Sequence, residues 1–407
     1  MSTFLWGAST SPHQTEGDNV NSDWWTIEQT PSTFVRERSG DAVDSYHRYG
    51  EEMRLLAEAG LNAYRFGIEW ARIEPEPGRF SRAALAHYRR MIDTARGLGL
   101  TPVVTLHHFS NPRWFGLQGG WQRRDAVELF RRYTERASDI LGEVEWVCTI
   151  NEPNMVALMA RFKASLESGE AGTAAAGGDA EATRPRPRTM PLPDITTGEV
   201  LAQAHHAATA VLRERTDAAV GWTVAQQAFT PEAGHEEVFA ETVYAWEDLY
   251  LQAARGDDFI GAQSYTSQPV GPEGPRPHPQ SPDNTLKGWA YRPDALGIAV
   301  RRAWDVARVP VLVTENGIAT DDDTRRIAYT SEALRHLGAA MADGVDVRGY
   351  LHWSAVDNYE WGSWRPTFGL ISVDRETFER TPKPSLAWLG EVARGGRPDA
   401  AAHPPVR

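Results

Sequence analysis

Eight short apolar segments of this sequence, each suited to a buried β-strand, alternate with longer segments that have a helical spacing. The strand segments are FLWGAS (4–9), NAYRFGIE (62–69), TPVVTLHH (101–108), WVCTINE (146–152), VGWTVAQ (220–226), DFIGAQSY (258–265), VPVLVTEN (309–316) and VRGYLHWS (347–354). Between the second and third, a helical interval of three or four residues separates the apolar side chains Leu85, Tyr88, Ile92 and Ala95. Eight strand–helix repeats predict an α/β protein, a closed (β/α)8 TIM barrel, although open doubly wound sheets show the same alternation.

The chain of 407 residues is long enough for one such barrel. We expect a single catalytic domain over residues 1–395 and a C-terminal tail over 396–407. Residues 165–190, after the fourth strand, are rich in Ala, Gly and Pro and poor in large apolar side chains, which predicts a mobile insert. A second Pro-rich loop, 271–284, follows the sixth strand. Both loops follow the carboxyl ends of strands, so we expect them on the face where barrel enzymes bind substrates.

The charge and cysteine content exclude several classes of protein. The net charge of −13 disfavours binding to nucleic acid or to an anionic membrane surface, which both select basic patches. No apolar run is long enough for a membrane span, and the N-terminus has neither the basic nor the long apolar region of a signal peptide. The one cysteine, Cys148, excludes an internal disulfide and is interpreted as a small buried side chain. These features predict a cytoplasmic protein.

Polar side chains gather at the carboxyl ends of the predicted strands. Arg65 interrupts the second strand, and the others stand at strand ends: His107 and His108, Asn151 and Glu152, Gln263 and Tyr265, Glu315 and Asn316, and Trp353 and Ser354. In a parallel barrel these ends meet at one mouth, where catalytic residues come from several strands. Adjacent residues of a strand face opposite ways, so only one of His107 and His108 can face that mouth. Repeated burial of polar groups on one rim is costly, and we therefore interpret the cluster as an active site.

Glu152 and Glu315 are the central pair of this cluster. They end the fourth and seventh strands, roughly opposite each other around the ring. Such a pair can bring its carboxyls to about 5–5.5 Å, the separation that suits double displacement at a sugar anomeric carbon. One carboxylate then attacks, while the other protonates the departing oxygen and later activates water. A single glutamate at a strand end would as often be an exposed rim residue or an ion-pair partner, but the pair with nearby amides favours catalysis.

Two motifs around these carboxylates, TINEP (149–153) and TENG (314–317), resemble the two carboxylate signatures of glycoside hydrolase family 1. Further family-like segments cover nearly the whole chain: FLWGASTSPHQTEG (4–17), DSYHRY (44–49), GLNAYRFGIEWARI (60–73), GGW (119–121), WSAVDNYEW (353–361), FGL (368–370) and KPS (383–385). The resemblance implies a retaining β-glycosidase, foremost a β-glucosidase that tolerates β-galactosides or β-fucosides. Such an enzyme cleaves terminal non-reducing β-D-glycosides through a covalent glycosyl-enzyme.

The resemblance also implies a role for each residue of the site. Glu315 would be the nucleophile and Glu152 the general acid/base. Arg65 and Tyr265 would hold the nucleophile ionised and aimed, and Asn151 would bind the sugar 2-hydroxyl. The complete set of implied sugar-binding residues is Gln14, His108, Asn151, Gln263, Trp353, Glu360 and Trp361.

The charges of the site predict a pH dependence. The guanidinium of Arg65 is expected to lower the pKa of Glu315, and the ionised Glu315 is expected to raise the pKa of Glu152. One carboxyl would then be charged and the other protonated near neutral pH. This arrangement predicts a bell-shaped pH profile for turnover.

The sequence departs from the usual family pattern at several positions. Phe109 stands where Trp is common, Gln263 stands where Asn is usual, and Ser264 replaces an aromatic residue. These changes leave the chemistry intact but alter which sugar and which aglycone fit. Family members that act on 6-phosphorylated sugars usually lack a carboxylate at the position of Glu360, because it would repel the phosphate, so the resemblance implies a sugar with a free 6-hydroxyl.

No cofactor or metal ion is predicted. His205 and His206 are neighbours on a helix rather than four residues apart, and no Gly-rich phosphate loop precedes a helix. The expected partner is a small β-glycoside or oligosaccharide, and nothing in the sequence sets an oligomeric state. Two alternatives remain, a transglycosylating enzyme of the same family and a non-catalytic sugar-binding barrel.

Overall fold

Eight parallel strands close into a barrel in the structure, a computed structural model that describes residues 3–31, 35–167 and 191–398. The strands are β1 (Leu5–Ser9), β2 (Ala63–Gly67), β3 (Thr101–His107), β4 (Trp146–Asn151), β5 (Ala219–Ala225), β6 (Ile260–Gln263), β7 (Val311–Glu315) and β8 (Val347–Trp353). Each strand pairs with the next along the chain, and β1 pairs with β8 through a register that sets Ser9 opposite Trp353. The predicted closed barrel is confirmed, and the open doubly wound sheet is excluded.

A helix follows every strand and covers the outside of the barrel. The eight helices of this ring are Ser45–Ala59, Arg82–Gly97, Ala126–Ala137, Ile195–Arg215, Glu236–Val243, Ala295–Ala307, Asp323–Ala342 and Pro384–Arg394. The fifth continues through the π-helical turn Tyr244–Asp248 into Leu249–Ala253. Further helices are Pro12–Thr15, Asp23–Gln29, Trp70–Ile73, Arg113–Leu117 and Pro153–Glu167, with 3₁₀ turns at Gly120–Gln122 and Ser138–Ile140. Two small sheets pair Ile371–Val373 with Arg380–Pro382, and Pro269–Gly271 with Thr230–Pro231 and Gly274–Pro275.

The helix Arg82–Gly97 illustrates why the helical spacing in the sequence was informative. Tyr88, Ile92 and Ala95 are buried against the barrel, whereas Leu85 is half-buried at the edge of the same cluster. Ser81 begins the helix, and its hydroxyl oxygen accepts the backbone N–H of Ala84 at 3.1 Å. One apolar stripe and one cap therefore define the element.

An apolar layer fills the lower part of the barrel. It consists of Leu5, Ala63, Val103, Cys148, Phe259, Leu312 and Leu351, all of them buried. Cys148 is thus the small buried side chain that the sequence predicted. Because this layer closes the barrel below, the polar residues one layer higher form the floor of a pocket that opens at the carboxyl ends of the strands.

Both strands that carry a carboxylate motif are bulged just before the functional residue. In β4, Cys148 pairs with Gly221 and Asn151 pairs with Thr223, so β4 has one residue more than β5 over this stretch. In β7, Val313 lies opposite Ala262 and Glu315 lies opposite Gln263, again with one extra residue. A bulge reverses the side to which the following side chains point. Asn151 and Glu315 consequently face the same interior as Cys148 and Leu312, three positions earlier in each strand.

The predicted insert begins inside a helix, because Pro153–Glu167 extends past residue 165. The rest of that insert, 168–190, lies outside the described residues, as does 399–407 of the predicted tail. The predicted loop 271–284 contains a short strand, Gly274–Pro275. Across the described ranges, no helix combines the length and the apolar character that crossing a bilayer requires.

Candidate active site

Glu315 ends β7 with both of its carboxylate oxygens held by protein donors. Its Oε1 accepts a hydrogen bond from Nη1 of Arg65 at 2.6 Å, and its Oε2 accepts one from the hydroxyl of Tyr265 at 2.5 Å. The ion pair is fully buried on the arginine side, and Glu315 is only 4% exposed. Two charge-assisted bonds to separate oxygens fix the plane of this carboxylate.

Asn151 ends β4 and joins the second half of the site to the same arginine. Its Oδ1 accepts hydrogen bonds from Nη2 of Arg65, from the hydroxyl of Thr223 at 3.0 Å and from Nε2 of Gln263 at 2.9 Å. Its Nδ2 donates to Nε2 of His108 at 3.2 Å. Because an amide nitrogen only donates, Nε2 of His108 is the acceptor and the ring proton is placed on Nδ1.

The remaining nitrogen of His108, Nδ1, carries the ring proton. Nδ1 has no hydrogen-bond partner within the described ranges, although the side chain is buried. Burial, and next the charge of Arg65, keep the pKa of His108 well below 6.5. His108 is therefore a neutral donor at the barrel mouth. Its neighbour His107 points outward as expected, against Trp121 and Phe130.

Glu152 follows directly after β4 in a strained backbone conformation. Its φ of 45° is in the left-handed region, which a non-glycine residue rarely adopts. The backbone N–H of Glu152 donates to the carbonyl of Thr223 at 2.8 Å, and its carbonyl accepts the N–H of Met155 at the start of the next helix. No described side chain donates a hydrogen bond to its carboxyl, in contrast to Glu315. Strain of this kind persists only where the surroundings impose it, and it is common at active sites.

The two carboxyls differ in how strongly the protein favours their protonated forms. Burial raises the pKa of Glu152 well above 4.5, the negative charge of Glu315 raises it further, and Arg65 opposes both. Burial also raises the pKa of Glu315, against the lowering influence of Arg65 and the hydrogen bond from Tyr265. Arg65 lowers the pKa of Glu315 as expected, but burial outweighs this contribution, so the net pKa of Glu315 lies above 4.5. Glu152 remains the carboxyl that is more strongly driven to bind a proton.

A third carboxyl side chain, Glu360, defines the far end of the pocket. Its Oε1 accepts a hydrogen bond from Nε1 of Trp353 at 3.2 Å and one from Nε2 of Gln14 at 3.4 Å. Gln14 Nε2 also donates to the carbonyl of Tyr359 at 2.7 Å. The other oxygen, Oε2, lies 3.1 Å from the ammonium of Lys287, a residue that the sequence analysis missed.

Stacked rings form the wall of the pocket. The ring of His108 stacks with Trp353 at 5.8 Å and with Trp361 at 6.3 Å between centroids. Trp361 also stacks on His13 at 5.6 Å and receives the edge of Phe109 at 5.0 Å. Flat aromatic faces beside hydrogen-bonding groups suit the apolar faces and hydroxyls of a sugar. With Phe109 in place of Trp, this side of the wall has no indole donor.

The structure brings all eleven predicted site residues to one mouth. The contacts run from Gln14 and Glu360 through the rings to His108 and Asn151, and from there to Arg65, Glu315 and Tyr265. Gln263 lies beside Asn151, and its Oε1 and the hydroxyl of Ser264 are buried without a partner among the described residues. The hydrogen-bonding capacity of these two buried atoms is therefore unused by the described protein groups.

Three residues of the site escaped the sequence analysis. Thr105 accepts Nε of Arg65 at 3.0 Å, Thr223 donates to Asn151, and Lys287 pairs with Glu360. Thr105 and Thr223 have the strand parity of an inward-facing position, which is the one signal that marks them. In the part of the chain that the structure describes, no cluster of three or more His, Cys, Asp or Glu side chains has the geometry of a metal site.

A parallel barrel with two buried carboxyls of unequal pKa, beside an aromatic wall at its mouth, defines a barrel glycosidase. The family profile described as "Glycosyl hydrolase family 1" matches residues 1–253 and 250–397. The chain belongs to glycosyl hydrolase family 1 and is a β-glucosidase-like enzyme that hydrolyses glycosidic bonds.

Known proteins of similar sequence and structure cover almost the whole chain. A solved structure of a β-glucosidase called 1317 is 42% identical, superposes with a TM-score of 0.87, and the match covers 97% of this chain and 99% of the other. Beta-glucosidase A of Acetivibrio thermocellus is 28% identical over 96% of this chain and 97% of its own length. A bifunctional β-D-glucosidase/β-D-fucosidase of Bifidobacterium breve is 29% identical over 95% of this chain and 96% of its own length.

Proposed function

We propose that this enzyme hydrolyses terminal non-reducing β-D-glycosides, foremost β-glucosides, with retention of the anomeric configuration. The observation that carries the proposal is the unequal support of the two carboxyls. Glu315 is held by two donors on separate oxygens, as a nucleophile must be, whereas Glu152 has no side-chain donor and a strongly raised pKa. One group is therefore prepared to attack and the other to give a proton.

In the first step, Glu315 attacks the anomeric carbon from the face opposite the aglycone. The bond between that carbon and the aglycone oxygen breaks as Glu152 gives its proton to the departing oxygen. The product is an α-glycosyl ester of Glu315. In the second step, water gives a proton to Glu152 and attacks the anomeric carbon, and the ester bond breaks to release a β-sugar and the free carboxylate.

The change of role at Glu152 follows from the charge of its neighbour. While Glu315 is ionised, its charge raises the pKa of Glu152 and favours the acid form. In the ester that charge is gone, so the pKa of Glu152 falls and the same group becomes a base. The order of protonation needed for the two steps is thus produced by the covalent chemistry itself.

Asn151 is proposed to bind the sugar 2-hydroxyl through its amide nitrogen. Its Oδ1 already accepts three donors, and one of the two Nδ2 hydrogens is given to His108. The second Nδ2 hydrogen remains for the sugar. A contact to the 2-hydroxyl strengthens as positive charge develops on the ring in the transition state.

The other predicted binding residues are proposed to contact the outer hydroxyls and the face of the sugar. His108 Nδ1, the orphaned Gln263 Oε1, Gln14 and Glu360 supply polar atoms, and Trp353 and Trp361 supply flat surfaces. A relative with both β-glucosidase and β-fucosidase activity in its name supports some tolerance at C4 and C6 of the sugar.

Rescue of a variant without the nucleophile tests this proposal directly. Glu315→Gly should lower kcat for aryl β-glucosides by about 10⁴-fold or more. Added azide or formate should restore turnover, and azide should give the α-glucosyl azide. The exposed Glu391 provides a matched control, and Glu391→Gly should keep its activity. Failure of the wild-type enzyme to hydrolyse any aryl β-glycoside, or an α-anomer as its first product, would contradict the proposal.

A further inference from the structure

Lys287 lies at the tip of a tight turn that reaches the active-site pocket from the loop after β6. The backbone N–H of Thr285 donates to the carbonyl of Trp289 at 2.9 Å, and the N–H of Gly288 donates to the carbonyl of Thr285 at 2.8 Å. These two bonds close the turn around Lys287. The lysine side chain is 23% exposed, so it stands where the pocket meets the solvent.

The turn is fixed to the wall of the pocket rather than free in solution. The N–H of Leu286 donates to the carbonyl of Ala319 at 3.0 Å. Leu286 and Trp289 pack against the apolar cluster formed by Ala319, Trp353 and Phe368, and the ring of Trp289 lies 5.7 Å from that of Tyr265. The position of Lys287 is therefore coupled to the two pocket residues Trp353 and Tyr265.

The ammonium of Lys287 contacts one oxygen of the Glu360 carboxylate, and the other oxygen is held by pocket side chains. Nζ lies 3.1 Å from Oε2 of Glu360 and 3.5 Å from its carbonyl oxygen. The other oxygen of Glu360, Oε1, faces Trp353 and Gln14. An ammonium has three N–H donors, and the ion pair and the hydrogen bond to Glu360 engage at most two of them. One donor remains for a ligand.

Lysine is a rare choice in this protein. The sequence contains it at three positions, Lys163, Lys287 and Lys383, and every other basic side chain among its 42 Lys and Arg residues is arginine. Lys383 has a structural contact set, with both oxygens of Asp357 and the carbonyl of Gly369. Lys287 has an unused donor instead. A compact, rotatable ammonium suits a single hydroxyl, whereas a planar guanidinium suits a bidentate acceptor.

We propose that Lys287 is a specificity-determining residue that recognises the oxygen on C6 of the sugar. Its free N–H donates to that oxygen, and its ion pair holds Glu360 so that Oε1 faces the neighbouring sugar hydroxyl. The inference rests on the proposed function and on the expectation, stated for Glu360 from the sequence, that the C6 end of the sugar lies beside this carboxylate. The pocket accordingly prefers sugars that carry oxygen at C6, and the 6-deoxy sugars and pentoses that it tolerates are turned over less efficiently.

Matched pairs of substrates isolate this contact. Aryl β-D-galactosides and β-D-fucosides differ only in the oxygen at C6, and aryl β-glucosides and β-xylosides differ in the whole C6 group. In Lys287→Met, kcat/KM for the galactoside and the glucoside should fall about tenfold, mainly through KM, because a charged donor to a neutral oxygen is lost. For the fucoside and the xyloside the fall should stay below about threefold. Lys287→Arg should keep the galactoside-to-fucoside ratio within about threefold of the wild type, because a cationic donor is retained.

Lys383→Met is the control, because it removes a lysine ion pair from the same end of the barrel without touching the pocket. It should lower the melting temperature and leave the ratio between the two sugars of each pair unchanged. An unchanged ratio in Lys287→Met, or in Lys287→Gln if the first variant folds poorly, would overturn the inference. If wild-type enzyme hydrolyses none of the four glycosides, the proposed function itself fails instead.

Discussion

Arg65 and Asn151 share a buried hydrogen bond, and the same guanidinium forms the ion pair with Glu315. One side chain on β2 therefore sets the position of Glu315, the proposed nucleophile, on β7 and of the amide beside Glu152 on β4. Glu152 and Glu315, which mark the two motifs, are 163 positions apart in the sequence. Their relative geometry depends on the planar guanidinium of Arg65, whose two terminal nitrogens each hold one partner, and a lysine ammonium cannot reproduce this arrangement.

Arg65→Lys tests that dependence, because it keeps the positive charge and removes the guanidinium group that bonds two partners at once. We expect kcat/KM to fall about 10²-fold or more, since Asn151 or Glu315 loses its partner in a buried site. The acid limb of the pH profile should also move to higher pH, because burial of Glu315 is then opposed less effectively. Arg54→Lys, in an exposed ion pair with Glu58, is the matched control and should change activity less than about twofold. Equal effects of the two substitutions would contradict the bridging role.

The pH profile of kcat/KM should be bell-shaped, with Glu315 responsible for the acid limb and Glu152 for the alkaline limb. Burial raises the pKa of both carboxyls, so the bell should be centred at higher pH than for two exposed glutamates. Glu315→Gln removes the negative charge that raises the pKa of Glu152, and that pKa should fall. Carbon NMR or infrared titration of the Glu152 carboxyl in the variant measures the change. A Glu152 pKa that stays the same or rises would show that the charge of Glu315 does not control the protonation of Glu152.

Glu152 should also make the stability of the protein depend on pH. Its pKa is higher in the folded than in the unfolded protein, so its contribution to stability is greatest below its unfolded pKa and is lost as the pH rises through the folded value. Glu152→Gln should therefore raise the melting temperature relative to wild type by roughly 1–3 °C at pH 8, and less at pH 4. Glu391→Gln, on the outer face of the last helix, should show no such difference. A larger increase in the melting temperature at pH 4 than at pH 8 would contradict a Glu152 pKa that is raised on folding.

Gly317, the last residue of the TENG motif, should tolerate no side chain. A Cβ at this position would lie 2.1 Å from the carbonyl oxygen of Trp353, a backbone atom that cannot move without displacing β8. Gly317→Ala should cost about 2–4 kcal/mol of folding free energy and reduce activity. Gly142→Ala, where nothing lies within 4 Å of the added carbon, should change the unfolding free energy by less than about 0.5 kcal/mol. Denaturant unfolding of both variants checks the contrast.

Much of the fold could be predicted from the sequence because strands buried on both faces leave continuous apolar runs. The sequence pattern could not predict whether Asn151 and Glu315 point into or out of the barrel. Simple alternation from Cys148 turns Asn151 outward, and from Leu312 it turns Glu315 outward, whereas a bulge in each strand brings both inward. The family motifs supplied what the alternation could not. Lys287 left no local signal, since only the packing of its loop on β8 brings it to the pocket.

The closure of the barrel between β1 and β8 affects the order in which the pocket is completed during synthesis and folding. Gln14 stands at the start of the chain and meets Tyr359 and Glu360 across that seam, 345 and 346 positions away. A growing chain therefore contains Glu152 and Glu315 before it contains Glu360, which defines the far end of the pocket. Until the ring closes, Gln14 has neither of these partners, so the Glu360 end of the pocket depends on the pairing of the first strand with the last.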